Sequence, residues 1–357
     1  MSVSNGRFVI DLHILQSFPF NNINRGEDGA PKSCIYGGIE RARFSSQAKK
    51  YATRKDLQTR DAEGFTAVRT KSICERLHQG LLAKNIADPE AAELAQKIAT
   101  NLSTMENEKT KVVLYISRGE IQAIVDVVAA ETNPKARAKV VEKKVSSILK
   151  KTTVKDETEI GVMGRMVAED TDLDVESILS VAHGFSIHQA RPEVDFFTCE
   201  DEDATNNGSG HPDEALYSAS TCYLCVSIDL ALVAKNLTCL SPEDRKVKIE
   251  QVIRSLLKAV PIGKKHSAFA NTYPGRVLGV VRKDVNGLSM ADAFENPVQA
   301  PYLQNGLDRL QTHWGNLKKT LGSELGVVKE VLFSVDPTVA NSVDLDTFCK
   351  ALTGYVA

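Results

Sequence analysis

The chain has 357 residues, which is enough to bury a substantial core as one elaborated domain or as several lobes. Its formal net charge is −2, from 44 Lys and Arg against 46 Asp and Glu, which argues against a globally basic nucleic-acid binder but allows local patches. Seven scattered cysteines and no secretory signal favour reduced thiols in a cytoplasm, and no apolar run approaches a membrane span.

The N-terminal part predicts a strand and then a loop suited to anions. Residues 7–16 are rich in Val, Ile, Phe and Leu, which predicts a buried strand. Residues 24–38 contain four glycines and a proline, so they predict a loop without regular structure. The pair Gly37-Gly38 predicts a turn at which the backbone can approach a ligand closely.

A helix is predicted to follow, with Ser45 or Ser46 as its N-cap. On this helix Gln47, Lys50 and Arg54 lie three and four residues apart and share one face. A glycine-rich loop, a hydroxyl-rich helix start and a cationic helix face together predict a site for several consecutive phosphates, as in a nucleic-acid backbone. The alternative is a solvated charged helix after an ordinary turn, since neither common nucleotide-binding glycine motif is present.

The middle of the chain predicts a mainly helical region, residues 60–160. A proline after Asp88 and a capping box of Ser117 with Glu120 mark two helix starts. The predicted elements are helices at 66–84, 88–102, 117–131 and 134–151, and a short strand at 112–116. Residues 159–166 are apolar with two glycines, which predicts a strand or a ligand-facing loop.

The C-terminal part alternates between strands and helices. The predicted strands are at 180–189, 217–230 and 276–282, and the predicted helices are at 241–259, 289–295, 302–321 and 344–353. Residues 193–203 carry six acids and no base, and a Gly- and Asn-rich stretch follows, so 193–215 predicts a projecting, mobile loop. Cys222 and Cys225 lie three apart on a predicted strand and therefore face opposite ways, which argues against a shared zinc.

One fold class accounts for these elements once 60–160 and 190–216 are set aside as insertions. The remaining order is strand, helix, strand, strand, helix, strand, which predicts an α+β fold with a ferredoxin-like (RRM-like) core. The aromatic motif by which RNA-recognition sheets stack bases is absent. If RNA is bound, the loops and the first helix are therefore expected to bind it.

Several short blocks are together similar to those of one family. They are Asn24-Arg25, Lys32, Tyr36-Gly37-Gly38, Arg41, Arg43, Ser45-Ser46-Gln47, Lys50, Gly164-Arg165-Met166, Ser180-Val181-Ala182-His183, His188-Gln189, Asp195-Phe196-Phe197-Thr198 and 288–295. In this order the blocks resemble the crRNA-binding backbone subunit of type I-E CRISPR Cascade complexes (the CasC type). The chain departs from that pattern at Lys49 and Tyr51, where the family more often has an apolar and a basic residue, and we expect slightly altered packing there.

The resemblance implies a right-hand shape made of palm, fingers and thumb. The implied divisions are a palm in three parts (1–59, 161–189 and 217–357, the last with C-terminal helices), helical fingers at 60–160 and a thumb loop at 190–216. It also implies a non-catalytic cytoplasmic subunit, without cofactor, metal or membrane, that stacks head to tail in a helical filament along the crRNA and presents its bases to target DNA. Further implied partners are other Cascade subunits and a recruited nuclease-helicase. An alternative is a metal-dependent RNA endonuclease of type III kind, with a loop aspartate such as Asp28.

The resemblance and the charge pattern together give three groups of candidate residues. For RNA they are Asn24, Arg25, Lys32, Arg41, Arg43, Ser45, Gln47, Lys50, Arg54, Arg165 and Met166; for the thumb wedge they are Phe197 and Thr198. For DNA, a cationic row on the predicted helix 134–151 gives Lys135, Arg137, Lys139, Lys143 and Lys144. The residues alone also allow core packing for Met166, a loop anchor for Phe197 and a solvated surface for the lysine row.

Overall fold

A computed structural model describes residues 6–150, 158–167, 171–200 and 209–357. The chain forms two compact units. The sheet unit comprises Met1–Asp56, Leu179–Ala231 and Lys246–Ala357, and the helical unit comprises Leu57–Ile178 and Leu232–Arg245. The predicted helical insertion, residues 60–160, lies within the helical unit. The α+β class is confirmed.

The described residues form the following strands and helices. The strands are β1 Phe8–Asn21, β2 Ser33–Tyr36, β3 Ile39–Phe44, β4 Val68–Thr70, β5 Met105–Glu106, β6 Lys109–Thr110, β7 Leu114–Ile116, β8 Leu179–Val181, β9 Gly184–Ser186, β10 Glu193–Glu200, β11 Ser209–Asp229, β12 Arg276–Lys283, β13 Val327–Ser334 and β14 Ser342–Val343. The helices are α1 Ser46–Arg60, α2 Ile73–Ala83, α3 Asp88–Leu102, α4 Arg118–Ala129, α5 Pro134–Lys150, α6 Thr158–Met163, α7 Leu230–Asn236, α8 Pro242–Lys258, α9 Lys265–Ala268, α10 Tyr302–Leu321 and α11 Leu345–Thr353.

The sheet unit is built around β1. The strand order is β14-β13-β12-β1-β11-β9-β3-β2, with β8 and β10 also paired to β11. Strand β1 is antiparallel to both β11 and β12, and its residues are buried on both faces because helices cover both sides. On one face Trp314 of α10 packs in a cluster with Leu278 and Tyr223. On the other face Gly279 has no side chain, which leaves room for Phe348 of α11.

The helical unit has its own core of aliphatic side chains. Leu77 and Leu81 of α2, Ile98 of α3 and Val128 of α4 are buried together with Val145 of α5. The strands of this unit form two small pairs, β4 with β7 and β5 with β6. No helix in the described part of the chain is both long and apolar enough to cross a membrane.

Most predicted helices are confirmed, because their capping residues and apolar periodicity are local. The capping box between Ser117 and Glu120 is present, and α1 begins at the predicted start. Helices α5, α8, α10 and α11 begin and end within about two residues of the predicted bounds. The helix predicted at 66–84 begins only at Ile73, because residues 68–70 pair with β7. The helix predicted at 289–295 is reduced to one 3₁₀ turn, Ala291–Phe294.

Several segments of the chain differ from their predicted conformation. Residues 159–163 belong to helix α6, which ends before Gly164 with φ of +78°, where a strand or a ligand-facing loop was predicted. The stretch 24–38 contains a hairpin strand, and 193–200 pairs with β11 where a mobile loop was expected. Strand β13, which pairs with β12, was not predicted. Strand β2 gains its partner β3 directly across the Gly37-Gly38 turn, whereas β13 depends on β12, a strand distant in the sequence.

Candidate nucleic-acid interface

The loop after β1 is tied to the start of α1 by Asn24. Its Oδ1 accepts a hydrogen bond from the backbone N–H of Ser45 at 2.8 Å, and its backbone oxygen accepts one from Lys32 N–H at 2.9 Å. The Ser45 hydroxyl accepts from the N–H of Ala48 at 3.2 Å, so Ser45 is the N-cap of α1. Three predicted RNA-binding residues, Asn24, Lys32 and Ser45, are therefore brought together. Arg25, next to Asn24, is exposed.

The glycine pair is a hairpin turn and not a ligand-facing loop. Gly37 and Gly38 connect β2 to β3 with φ of +60° and +76°, a backbone conformation that favours glycine. A Cβ placed on Gly37 would come within 1.8 Å of the backbone oxygen of Glu295. The close approach that this glycine permits is thus to the protein's own backbone, which corrects the prediction.

Arg41 is a structural residue, in contrast to its predicted role in RNA binding. It is fully buried in the sheet unit, with 0% exposure. Its guanidinium donates to the backbone oxygens of Tyr36, Ser186, Phe294 and Glu295 at 3.0–3.1 Å. Because the side chain is fully buried and four of its five N–H donors are used inside the fold, Arg41 is not accessible to a phosphate.

Arg43 lies two residues further along β3 and is only partly buried. Its Nη1 is 2.8 Å from Nδ1 of His183, and its Nε donates to the backbone oxygen of Ser33 at 3.3 Å. An arginine can only donate, so Nδ1 of His183 is the acceptor and the imidazole is neutral in this contact. Partial burial, Arg43 and Lys32 lower the pKa of His183. Lys32 and Arg43 therefore form one cationic surface patch, and the exposed, neutral His183 lies beside it.

The polar residues in the first turns of α1 differ in burial. Gln47 is exposed and Lys50 partly buried, but Arg54 is only 6% exposed, which corrects its predicted place on an open phosphate-binding face. Lys49 is 2% exposed, and its Nζ donates to the backbone oxygen of Ala259 at 2.6 Å. Burial lowers the pKa of Lys49 to about 7. Tyr51, two residues later, is 42% exposed.

Arg165 and Met166 lie in the helical unit and are opposite in burial. Arg165 donates from Nη1 to Oε1 of Glu120 at 2.6 Å and from Nε to the backbone oxygen of Leu173 at 3.0 Å, so its predicted role in RNA binding is corrected to a structural one. Met166 is 87% exposed, which excludes core packing. It lines the mouth of an apolar cavity of about 130 Å³ together with Val112 and Tyr115. An exposed methionine beside an apolar cavity offers surface for a base or a sugar.

The predicted thumb is a β-hairpin arm within the sheet unit. In the register, Phe197 lies opposite Asp213 and Thr198 opposite Pro212. Phe197 is 45% exposed, Thr198 is exposed, and Phe196 on the other face of the strand is 70% exposed. Phe197 therefore does not anchor a loop in the core. Residues 201–208, which the prediction also included, lie outside the described residues.

The cationic row on α5 is only partly available. Lys135 and Lys139 are exposed. Arg137 donates from Nη1 to Oε1 of Glu90 at 2.8 Å and from Nε to the backbone oxygen of Glu131 at 2.7 Å, which ties α5 to α3 and corrects its predicted place in the row. The side chains of Lys143 and Lys144 lie outside what the structure describes.

Asp28, the candidate for a loop catalyst, is engaged in its own turn. Its Oδ1 accepts from the backbone N–H of Ala30 at 3.1 Å, which forms an Asx-type turn. Within the described ranges, no three His, Cys, Asp or Glu side chains are placed to hold a metal ion.

Comparisons with known proteins bear on the whole chain. The family model described as CT1975-like protein matches residues 10–351. A chain of a solved "CRISPR RNA-guided surveillance complex, pre-nicking" is 26% identical and superposes with a TM-score of 0.82, over 96% of this chain and 100% of that one. A chain of a "CRISPR RNA-guided surveillance complex" at 22% identity, with a TM-score of 0.72 over 96% and 99%, shares the fold. No curated protein matches the sequence.

Proposed function

Since the chain belongs to the CT1975-like protein family, with a role in CRISPR surveillance complexes of the Cascade kind, we propose that it is the RNA-binding backbone subunit of a type I-E complex. Copies stack head to tail along the crRNA in the cytoplasm, hold its phosphates and present its bases to target DNA, with no catalytic step of their own. The observation that carries this proposal is the end-to-end structural similarity to a surveillance-complex chain. Other Cascade subunits and a recruited nuclease-helicase are the further partners.

A ferredoxin-like palm is part of the proposal. Along the chain the elements follow as β1, α1, β9, β11, α8 and β12, while the sheet order is β12-β1-β11-β9 with antiparallel neighbours. This is the strand order expected when each helix connects two strands that flank a third. The observed order supports the palm, and the additional strands extend its two edges.

The RNA surface of the palm is the patch that the loop, the hairpin and α1 build together. Lys32 and Arg43 supply cations, and Gln47 and Lys50 supply further donors from the helix start, with Arg25 at the loop. Ammonium, guanidinium and amide donors suit phosphates and sugars, which carry no sequence information. The subunit therefore holds guides of any sequence.

Lys50→Ala is expected to weaken RNA binding equally for unrelated guide sequences. The loss of one phosphate contact lowers the slope of log affinity against log salt concentration by about 0.7 for single-stranded RNA. The measurement is fluorescence anisotropy with two unrelated RNAs over a salt series. The neighbouring Lys49→Met is the matched control, because Lys49 is buried and should leave both affinity and slope unchanged. A loss confined to one RNA would contradict the proposal.

The hairpin arm is proposed to wedge at kinks in the guide and to contact the next copy. Phe197 and Thr198 lie exposed on β10, and an exposed aromatic ring can stack on an unstacked base. Deleting residues 194–214 is expected to abolish assembly of several copies on one RNA while a single copy still binds. Native mass spectrometry counts the copies per RNA. Unchanged assembly would show that the arm has another role.

The exposed lysines of α5 are proposed to attract target DNA through its phosphates, without holding the guide. Lys135 and Lys139 are exposed, and Lys143 and Lys144 follow on the same helix. Replacing Lys139, Lys143 and Lys144 with alanine should leave RNA bound but slow DNA association, most strongly at low salt. Stopped-flow association rates test this, with Lys97→Ala on α3 as control. Loss of guide RNA with normal DNA association would refute it.

A further inference from the structure

A cleft lies beside the proposed phosphate-binding patch and contains an exposed aromatic residue. It has a volume of about 530 Å³ and lies wholly within the sheet unit. One wall is the loop after β1, the other is the loop after α8, and the floor is the second turn of α1. Its lining residues include Arg25, Glu27, Tyr51, Ile262 and Gly263.

Tyr51 is the aromatic residue of this cleft, and its ring is held by cations. The guanidinium carbon of Arg54 is 5.6 Å from the ring centroid, and Nζ of Lys55 is 5.9 Å from it. Arg54 is almost completely buried, so it fixes the ring, while Tyr51 remains 42% exposed. A ring that is oriented before binding and open to solvent loses little conformational freedom when a ligand stacks on it.

The opposite wall is held in place by a close backbone approach. Gly263 donates from its N–H to the backbone oxygen of Ile23 at 3.1 Å. A Cβ on Gly263 would lie 2.4 Å from the backbone oxygen of Asn22, so any larger residue would push the two loops apart. Ile262, beside it, is 51% exposed and presents apolar surface at the cleft.

The geometry points to a nucleobase site: we propose that the cleft takes one unstacked base of the bound RNA, stacked on Tyr51 and packed by Ile262. The inference rests on the proposed RNA-binding function and adds base stacking to it. Single-stranded RNA is the ligand that offers a flat π-face next to phosphates. The cleft matches both features, since Tyr51 and Arg25 both line it, and Glu27 is the one carboxylate among its lining residues. Stacking tolerates every base, so the site remains compatible with guides of any sequence.

The test separates bases from phosphates. The probes are an oligoadenylate and a ribose-phosphate oligomer of the same length without bases, each titrated into the full-length protein. Tyr51→Ala is expected to weaken oligoadenylate binding by about 5- to 140-fold, the range of about 1–3 kcal/mol for one stacked base, and to leave the baseless oligomer unaffected. Tyr51→Phe keeps the ring and should stay within about twofold of the unsubstituted protein. Tyr273→Ala, an exposed tyrosine outside the cleft lining, is the matched control and should change neither affinity.

A second variant tests the wall of the cleft. Gly263→Ala is expected to reduce oligoadenylate binding selectively as well, because it displaces Ile262. Equal weakening of both probes by Tyr51→Ala would overturn the proposal, as would no change with either probe. If Tyr51→Ala binds oligoadenylate normally but fails to assemble into several copies, the cleft is a contact between proteins, and the proposal of a nucleobase site is overturned. If the unsubstituted protein binds neither probe, the proposed RNA-binding function itself fails. If Lys50→Ala weakens the binding of both probes while Tyr51→Ala weakens neither, the RNA-binding function stands and only the nucleobase site fails.

Discussion

Arg41→Ala is expected to lower the free energy of unfolding of the sheet unit by about 3–5 kcal/mol. The guanidinium is fully buried and donates to four backbone oxygens, two of them in the segment at Phe294 and Glu295. Truncation removes charge-assisted hydrogen bonds and leaves buried acceptors without donors, each of which costs about 1–3 kcal/mol before the surrounding structure relaxes. It also removes the packing of the aliphatic stem.

The measurement is urea unfolding followed by tryptophan fluorescence, since Trp314 belongs to the core of the same unit. Arg41→Lys should recover only part of the loss, because an ammonium cannot reach the positions that the planar fork occupies. Arg43→Ala is the matched control on the same strand, with an expected loss of at most about 1 kcal/mol for a partly exposed contact. Equal destabilisation by Arg41→Ala and Arg43→Ala would contradict the assignment of Arg41 to the fold.

Glu120→Ala is expected to destabilise the helical unit by about 3–5 kcal/mol, the range measured when one partner of a buried ion pair is removed. Oε1 of Glu120 accepts from Arg165 at 2.6 Å, and Oε2 accepts from the backbone N–H of Ser117 at 2.9 Å. The two ionic side chains are 0% and 4% exposed. The substitution would therefore leave a guanidinium buried without its anion and would also remove half of the capping box of α4.

Hydrogen exchange of the α4 amides measures this effect in the intact protein. Glu120→Gln keeps the shape but has one acceptor oxygen for two donors, Arg165 and the Ser117 N–H, so it should destabilise the unit less than Glu120→Ala but still measurably. Glu93→Ala is the control, because Glu93 pairs with Lys97 at 3.6 Å on an exposed helix face, where such pairs contribute about 0.3–0.5 kcal/mol. If the α4 amides are as well protected from exchange in Glu120→Ala as in Glu93→Ala, the buried ion pair does not stabilise the helical unit.

The amino-acid sequence determined the parts of this protein that depend on neighbours along the chain. Strand β1, an N-cap at Ser45 or Ser46 and the capping box of Ser117 with Glu120 follow from local patterns, and the structure contains all three, with Ser45 as the N-cap. The short strands β2, β3 and β10 do not: β2 pairs with β3 and β10 with β11, and isolated two-stranded hairpins are only marginally stable until further strands or helices pack against them.

Only the tertiary structure decided which cations face a ligand. Arg41 and Arg43 lie two apart on β3 and share its face, yet only Arg41 is covered, by a segment about 250 residues later in the chain. Lys49 and Lys50 are adjacent on α1, yet only Lys49 is fully buried, and its Nζ donates a hydrogen bond to the backbone oxygen of the distant Ala259. Sequence spacing fixes the direction in which a side chain leaves the backbone. Its burial depends on what distant segments pack against it, so charge and position along the chain could not separate structural cations from binding ones.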